Sequence, residues 1–418
     1  MVEKRKPITV SEAIDRLMEH VSEPHSEQVE LQESYGRILA EPIIAKHDIP
    51  HFNRSAYDGF AVRAEDTNGA TGENRISFKV VDHIGAGQVS GKKVGKHEAV
   101  RIMTGAAMPE GADTVVMFEQ ARESEGGFSV RKTFQAGENL SFKGEDAKEG
   151  DRLIEPGGVI HPGTIALLAA FGYSQVNVAK RPTVGILTTG TELLSAEDPL
   201  EHGKIRNSNG PMIIAQLKRM GMDCRSYGMQ TDDLDQCYAV VSQALKECDC
   251  LITTGGVSVG DYDLAPAIYK KLGAKVLFNK ISMRPGSVTT AAVVNGQYLF
   301  GLSGNPSACF TGFELYVRPT LLKMMGCNRP YLQHTKAILG EDFPKPNPFT
   351  RFIRAQFEFT ATGAVAKPAG FNKSNAVTSI AKGNSMIVLP SGTRGFQKGD
   401  EVDVLLLGTE EGMEKWTI

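Results

Sequence analysis

The 418-residue chain has no run approaching the ~18 consecutive apolar residues that a membrane-spanning helix needs. Its opening, Met1-Val2-Glu3-Lys4-Arg5-Lys6-Pro7, lacks the apolar stretch of a secretory signal. No membrane association and a cytoplasmic location are therefore expected. Cysteine is scarce as well: six residues are too few for a disulfide scaffold. Cys224, Cys237, Cys248 and Cys250 fall close together, but they form no C-x-x-C pair and have no histidine nearby. Buried thiols suit them better than a zinc site. An excess of one charge is also missing, since 46 basic against 49 acidic residues leaves −3. A nucleic-acid binder usually carries a positive excess, so no nucleic-acid partner is expected. Neither G-x-x-x-x-G-K-[ST] nor a well-placed G-x-G-x-x-G occurs, which argues against ATPase and dinucleotide-dehydrogenase chemistry. No serine–histidine or cysteine–histidine constellation is evident, and no covalent enzyme intermediate is expected.

What is present reads as an ordinary globular chain, 41% hydrophobic and 23% charged. At ~150 residues per domain its length suggests two to four domains. Glycine is abundant at 44 residues, which favours turns and loop-borne sites. Thr9-Val10-Ser11-Glu12 fits a capping box opening a helix with Val10, Ile14, Leu17 and Val21 on one face. Residues 45–139 carry short β-like runs such as Ile76 to Val81 and Thr114 to Phe118. Residues 1–44 and 140–178 form the expected helical and linker region around them, including a short buried helix from Thr164 to Phe171. From 179 to 326 strands and helices alternate. Val184 to Leu187, Asp249 to Thr254 and Tyr298 to Leu302 read as strands. Pro211 to Met220, Leu234 to Cys248, Leu264 to Leu272 and Ser307 to Met325 read as helices. Repeated βα units imply a mainly parallel sheet covered on both faces. Residues 327–418 return to β texture and suggest a small barrel or sandwich. The fold class is thus multidomain α/β plus β.

Ligands of open α/β sheets bind beyond the carboxyl ends of the strands. Three loops fall there: Thr188-Thr189-Gly190-Thr191-Glu192, the stretch Thr253 to Asp263, and Ser303-Gly304-Asn305-Pro306-Ser307. Glycine lets N–H groups converge on a phosphate, and a helix N-terminus favours an anion. Lys280 and Arg284, four apart, would share a face if that segment is extended. Asp232, Asp233, Asp261 and Asp263 suit Mg²⁺ with phosphate oxygens completing its shell, although helix capping is a serious alternative for Asp232–Asp233. In the N-terminal half, Asp58-Gly59 reads as a tight turn, and Arg101 to Ala106 and Lys143 to Asp146 are unremarkable by composition.

Set side by side, these segments resemble the molybdopterin molybdotransferase family, the bacterial MoeA proteins and the gephyrin E domain. The resemblance rests on Ser55-Ala56-Tyr57-Asp58-Gly59-Phe60-Ala61, Arg101 to Ala106, Gly144-Glu145-Asp146, Thr189 to Leu193, Thr254 to Gly260, and Leu302 to Pro306, in family order along nearly the whole chain. It implies an enzyme that inserts molybdenum from molybdate into adenylylated molybdopterin and releases AMP with Mg²⁺ present. It also implies a homodimer of elongated protomers, with the active cleft where the α/β domain of one chain meets N-terminal segments of the other. Asp58, Thr104 and Asp146 would be the N-terminal catalytic groups. Glu192, Asp232 and Asp263 would be α/β-domain carboxylates placed for Mg²⁺ or water. Thr189 and Gly190 would bind the substrate, the Thr253–Gly260 loop with Gly255, Gly256, Ser258 and Gly260 would cradle the pterin phosphates, and Ser303, Asn305 and Pro306 would line the cleft. Lys280, Arg284 and Arg354 would collect the oxyanion, beside Pro285 and Ser374, with Arg351 a neighbouring alternative. Many relatives have lysine where Arg284 stands. The resemblance leaves open two further readings: molybdopterin adenylyltransferase activity, or a partnership with that enzyme, and a gephyrin-like scaffold.

Overall fold

The computed structural model describes residues 6–231, 233–255, 264–361 and 363–408. The chain divides into two compact units, one of Met1–Ala40, Gly157–Pro162 and Gln175–Ile418, the other of Glu41–Pro156 and Gly163–Ser174.

The smaller unit is built on a six-stranded sheet ordered Thr114–Met117, Gly59–Val62, Glu98–Ile102, Ile76–Ile84, Gly127–Val130 and Ala121–Ser124. It lies within the stretch whose short apolar runs predict strands. Gly59–Val62 is buried along its whole length. At Gly59 a Cβ would stand 2.1 Å from the Val116 carbonyl oxygen, so the strand approaches its neighbour only because glycine is there. Phe60 stacks on Phe128 at 3.9 Å between ring centroids, and Phe78 stacks on the other side at 5.3 Å. These rings form the centre of that unit's core.

In the larger unit, helix α1 (Val10–Met18) starts where the sequence predicts. Thr9 Oγ1 accepts from the Glu12 N–H at 3.1 Å. The Glu12 carboxylate does not complete the capping box; it takes the Arg16 guanidinium at 2.6 Å instead. The α/β sheet holds β1 (Val184–Thr189), β2 (Cys224–Gln230), β3 (Cys250–Thr254), β4 (Lys275–Phe278), β6 (Thr290–Val294) and β7 (Gln297–Leu302), in the spatial order β2-β1-β3-β7-β6-β4. The ladders from β2 to β7 are parallel, and β6 is antiparallel to both its neighbours. All strands except β6 therefore point the same way.

Both faces are covered, which is why the strands read as continuous apolar runs. In β3, Cys250 and Ile252 pack in one layer with Ile213 and Leu217 of α2 (Asn209–Arg219). Leu251 faces the opposite layer, with Val241 and Leu245 of α3 (Leu234–Glu247) and Ile268 of α4 (Ala265–Leu272). All six cysteines are free thiols, and all but Cys224 are buried. The single helix expected over 307–325 is interrupted: α5 (Pro306–Gly312) passes through a π turn at Phe313–Val317 into α6 (Arg318–Met324).

The C-terminal region is a closed barrel. Strands β8 (Gln333–Leu339), β9 (Thr350–Thr360), β10 (Gly363–Pro368), β11 (Ser385–Leu389) and β12 (Glu401–Leu406) close in the order β9-β10-β8-β12-β11 and back to β9. Closure leaves no free edge, and the barrel interior holds Leu339, Ile353, Ala355, Ile387, Leu389 and Val404. The two-residue strand β5 (Met283–Arg284) leaves the α/β domain and pairs in parallel with Thr350–Arg351 of β9.

Leu17 of α1 is fully buried among residues of the α/β layer. Leu17→Ala should destabilise the larger unit by about 2–5 kcal/mol, read as a lower urea midpoint in far-ultraviolet circular dichroism.

Candidate anion site

The loops after β1, β3 and β7 meet at one end of the sheet. Gly255, just past β3, has φ +94°, and a Cβ there would stand 2.0 Å from the Thr189 carbonyl oxygen at the end of β1. Only glycine permits this approach. Gly304, just past β7, comes next: its Cβ would be 3.6 Å from Gly255 Cα. Asn209, buried at the start of α2, fastens the loops together. Its Nδ2 donates to Thr254 Oγ1 at 2.8 Å and to the Gly304 and Ser303 carbonyls at 2.9 and 3.3 Å. Its Oδ1 is buried and has no hydrogen-bond partner among the described residues. Next to it, Asn207 Nδ2 donates to Thr188 Oγ1 at 3.2 Å and Asn207 Oδ1 accepts from the Gly210 N–H at 3.1 Å. Asn209 is a residue that the strand-end loops alone did not single out. The signal was Asn207-Ser208-Asn209-Gly210-Pro211, a polar run opening a helix on the same side of the sheet.

Of the predicted loop residues, Thr189, Gly190, Gly255, Ser303, Asn305 and Pro306 stand at this sheet end. Ser303 is buried, and its Oγ accepts from the Asn305 N–H at 3.2 Å. Pro306 takes the first position of α5. Glu192 is exposed beyond β1. Asp232, Gly256, Ser258, Gly260 and Asp263 lie outside the described residues. Asp233 is a helix cap, accepting from the Gln236 N–H at 2.8 Å. Among the described residues no group of three or more histidine, cysteine, aspartate or glutamate side chains stands together to hold a metal ion. The described residues by themselves do not form a Mg²⁺ site.

A cleft of about 590 Å³ opens where α5 and the segment 284–288 face the barrel. Arg284, Pro285, Ser303, Asn305, Arg354 and Ser374 all line it, so the predicted anion-binding residues are brought together. Lys280 is not among the lining residues. It lies two positions beyond β4, where its carbonyl accepts from the Ile8 N–H at 3.1 Å. The extended run that would give Lys280 and Arg284 a common face is limited to Met283–Arg284.

Sequence reasoning missed Lys345, Lys373 and the full part of Arg351, all in the cleft wall. No salt bridge reaches Arg284, Arg351, Arg354, Lys345 or Lys373 among the described residues. Three of these cations lie near aromatic faces instead: Arg284 at 5.6 Å from Phe349, Arg351 at 5.4 Å from Phe343, and Lys373 at 5.2 Å from Phe371. Arg354 is only 2% exposed. Its Nε donates to Ser379 Oγ at 3.3 Å and a terminal nitrogen donates to the Lys373 carbonyl at 3.2 Å. Burial pushes its guanidinium down to about 10. Arg351 is lowered too, first by burial and then by the Arg284 charge. The 372–376 loop is fixed to α5 by the Ser307 N–H, which donates to the Ser374 carbonyl at 3.0 Å, and by Ser307 Oγ, which donates to the Ala376 carbonyl at 2.6 Å.

In the smaller unit Asp58 and Thr104 are brought together, 46 positions apart in sequence. Asp58 Oδ1 accepts from the Thr104 N–H at 2.7 Å and from Thr104 Oγ1 at 2.8 Å. These two bonds hold the Asp58 carboxyl below its ordinary range, the backbone N–H acting most strongly. Asp146 is exposed, and its N–H donates to the Ile49 carbonyl at 3.0 Å. Its neighbour Gly144, at φ +71°, donates to the Pro50 carbonyl at 3.0 Å.

With this geometry in place, comparison with known proteins is decisive. The chain matches the model of the MoeA N-terminal region (domains I and II) over residues 8–172, that of a probable molybdopterin-binding domain over 185–323, and that of the MoeA C-terminal region (domain IV) over 336–407. The chain belongs to the MoeA family. A molybdopterin molybdenumtransferase of Staphylococcus aureus strain COL is 56% identical over 415 residues, covering 99% of both chains. One of Staphylococcus epidermidis strain RP62A is 57% identical over 405 residues, covering 97% of both. The crystal structure of the molybdopterin biosynthesis MoeA protein from Pyrococcus horikoshii OT3 superposes with a TM-score of 0.84 at 31% identity, covering 96% of this chain and all of that one. Family membership agrees with the multidomain α/β plus β architecture. No helix among the described residues is long and apolar enough to cross a membrane.

The lowered Asp58 titration is testable. An aspartate with a depressed folded value draws stability from its charged form above its unfolded value and loses it as pH falls through the folded one. Thr104→Val removes the hydroxyl bond and keeps the N–H bond. The Asp58 midpoint, followed by carboxyl ¹³C chemical shift, should move up toward 3.8 without fully reaching it.

Proposed function

We propose that this protein is a molybdopterin molybdenumtransferase, inserting molybdenum from molybdate into adenylylated molybdopterin with release of AMP. The observation that carries the reading is the cleft lined by Arg284, Arg351, Arg354, Lys345 and Lys373, with no carboxylate among the described residues that line it. Molybdate is a dianion, and its substrate partner brings a dithiolate and a pyrophosphate. Two unit charges 4 Å apart repel by ~4 kcal/mol at an effective dielectric near 20, so reactants of like sign meet only where fixed cations offset them.

Residue roles follow from position. Arg354, buried with N–H groups to spare beyond its two protein bonds, is the anchor for the oxyanion. Arg284 offers a planar fork from the opposite wall. Ser374 and Asn305 supply neutral donors, and Ser303 fixes the turn that presents them. The Gly255 and Gly190 loops take the pyrophosphate, because glycine there leaves backbone unobstructed. Lys280, beyond β4 on the same sheet end, draws the anhydride's negative charge. Glu192, exposed beyond β1, is the α/β-domain carboxylate we assign to this reaction. We assign Asp58, Thr104 and Asp146 to the same reaction, contributed by the second subunit of a homodimer. The Thr104 bonds keep Asp58 ionised across the working pH range, suiting it to orient a water or a metal-bound group and not to donate a proton.

Two experiments test this. Losing a charge-assisted hydrogen bond costs ~1.5–3 kcal/mol, so Arg354→Gln should raise the molybdate concentration for half-maximal AMP release by about 10–100-fold. With the Arg354 value at about 10, the parent's molybdate dependence should be flat from pH 6 to 9 and weaken only as pH rises through 10. An unchanged molybdate dependence in the variant would remove Arg354 from the site. The subunit assignment predicts that Asp58→Asn and Glu192→Gln, each inactive alone, regain part of the parent rate when the two variants are mixed and allowed to exchange subunits. Mixtures that stay inactive despite proven exchange would place both groups in one chain's site.

A further inference from the structure

A second basic cleft, of about 560 Å³, lies at the opposite end of the α/β sheet. Its cationic lining is Arg37, Arg181, Lys218, Arg219 and Arg318, with Tyr35 at the rim. Arg181 stands three residues before β1, and Gly221 three residues before β2, so the cleft is at the strands' amino ends. The loops that take the pterin substrate are at the carboxyl ends. Part of the positive charge has an ordinary explanation. Lys218 and Arg219 occupy the last turn of α2 and offset the negative end of its dipole. Arg37 is nearly buried, pairing with Glu27 and donating to the Ala179 carbonyl at 2.8 Å. Arg219 and Arg318 share Glu314, at 2.5 and 4.0 Å.

Arg181 has no such explanation. It is half-buried and makes no salt bridge or hydrogen bond among the described residues, and its guanidinium is lowered by burial and then by the Arg37 charge beside it, an effect that Asp223 and Glu27 offset only in part. Gly221, at φ +70°, makes room for it: a Cβ there would stand 2.7 Å from an Arg181 terminal nitrogen. Desolvating a guanidinium next to another, with acids near enough to act on it but none in contact among the described residues, is costly, and a site that receives an anion is where that cost is recovered. The lining also includes the apolar Ile38, Val159, Ile160, Leu322 and Met325 and the aromatic Tyr35, 64% exposed. A cleft of this volume with cations, apolar side chains and an aromatic ring together suits an organic phosphate better than a bare ion.

We propose that this cleft binds a phosphate-bearing small molecule of nucleotide size, with Arg181 and Lys218 on the phosphate, at a site separate from the catalytic one. The probe is ADP, titrated calorimetrically into the full-length protein. The parent should show two classes of site. Arg181→Ala with Lys218→Ala should weaken one of them at least 10-fold, leave the other intact, and leave molybdate-dependent AMP release without ADP unchanged. Arg354→Gln should have no effect on the class lost in that double variant. Lys218→Glu, a charge reversal at an exposed position, should weaken the same class and guards against a folding defect in the double variant. An azido-ADP should label a peptide containing Tyr35 or Val159. A single class of ADP site, unaffected by both the double variant and Lys218→Glu, would overturn the proposal, whatever the activity assay gives.

Discussion

The cleft beside the barrel has to keep several guanidinium and ammonium groups together with no carboxylate among them. Like charges in one pocket repel, and the effect is visible within the protein itself, where Arg284 lowers Arg351. What holds them is the frame. Arg354 is planted in β9, a strand hydrogen-bonded on both sides within a closed barrel, and Arg284 is carried to the same place by β5 pairing on β9. Aromatic faces and backbone carbonyls take the place of acidic partners. On the function proposed above, an acid within reach would neutralise these groups and weaken the hold on an oxyanion. The stability lost to repulsion and desolvation is then a condition of that function, carried by the barrel strand that bears Arg354.

The other half of the site obeys a steric constraint. The β1, β3 and β7 loops converge because Gly255 has no side chain to hold Thr189 away, and Asn209 then ties two of the three with one amide. An amide oxygen left buried and unpaired at that junction is a costly feature unless something donates to it. A ligand or water arriving at these loops would relieve it. Helix α2 has this amide at its first residue and Lys218–Arg219 in its last turn, so one rigid element of 11 residues touches both basic regions described above.

Much of this was legible in the chain. Buried parallel strands announce themselves as unbroken apolar runs, and β1, β3 and β7 sit where Val184 to Leu187, Asp249 to Thr254 and Tyr298 to Leu302 place them. Glycine clusters after those strands mark the sheet end where the loops meet. The ordered motifs from Ser55 to Pro306 point to the MoeA family, which full-length relatives bear out. Less legible were effects that depend on three-dimensional neighbours. The π turn at Phe313–Val317 leaves no mark in a sequence that reads as one helix. Lys345 and Lys373 look like solvated loop cations until barrel closure turns them to a common cleft. Lys280 and Arg284 share a face only if the chain between them stays extended, and the two-residue β5 is too short for that.

The pairing of Asp58 with Thr104 illustrates the limit from the other side. Composition gives an aspartate–glycine turn no functional weight, since such turns are common hairpin signals. The fold makes it unusual by presenting two donors from a segment 46 positions away to one carboxylate oxygen while leaving the group exposed. Exposure spares the carboxylate the cost of burying a charge and leaves the group open to solvent. A carboxylate held ionised and in fixed orientation at a surface is suited to act on a group outside its own unit, which is the role proposed for Asp58 above.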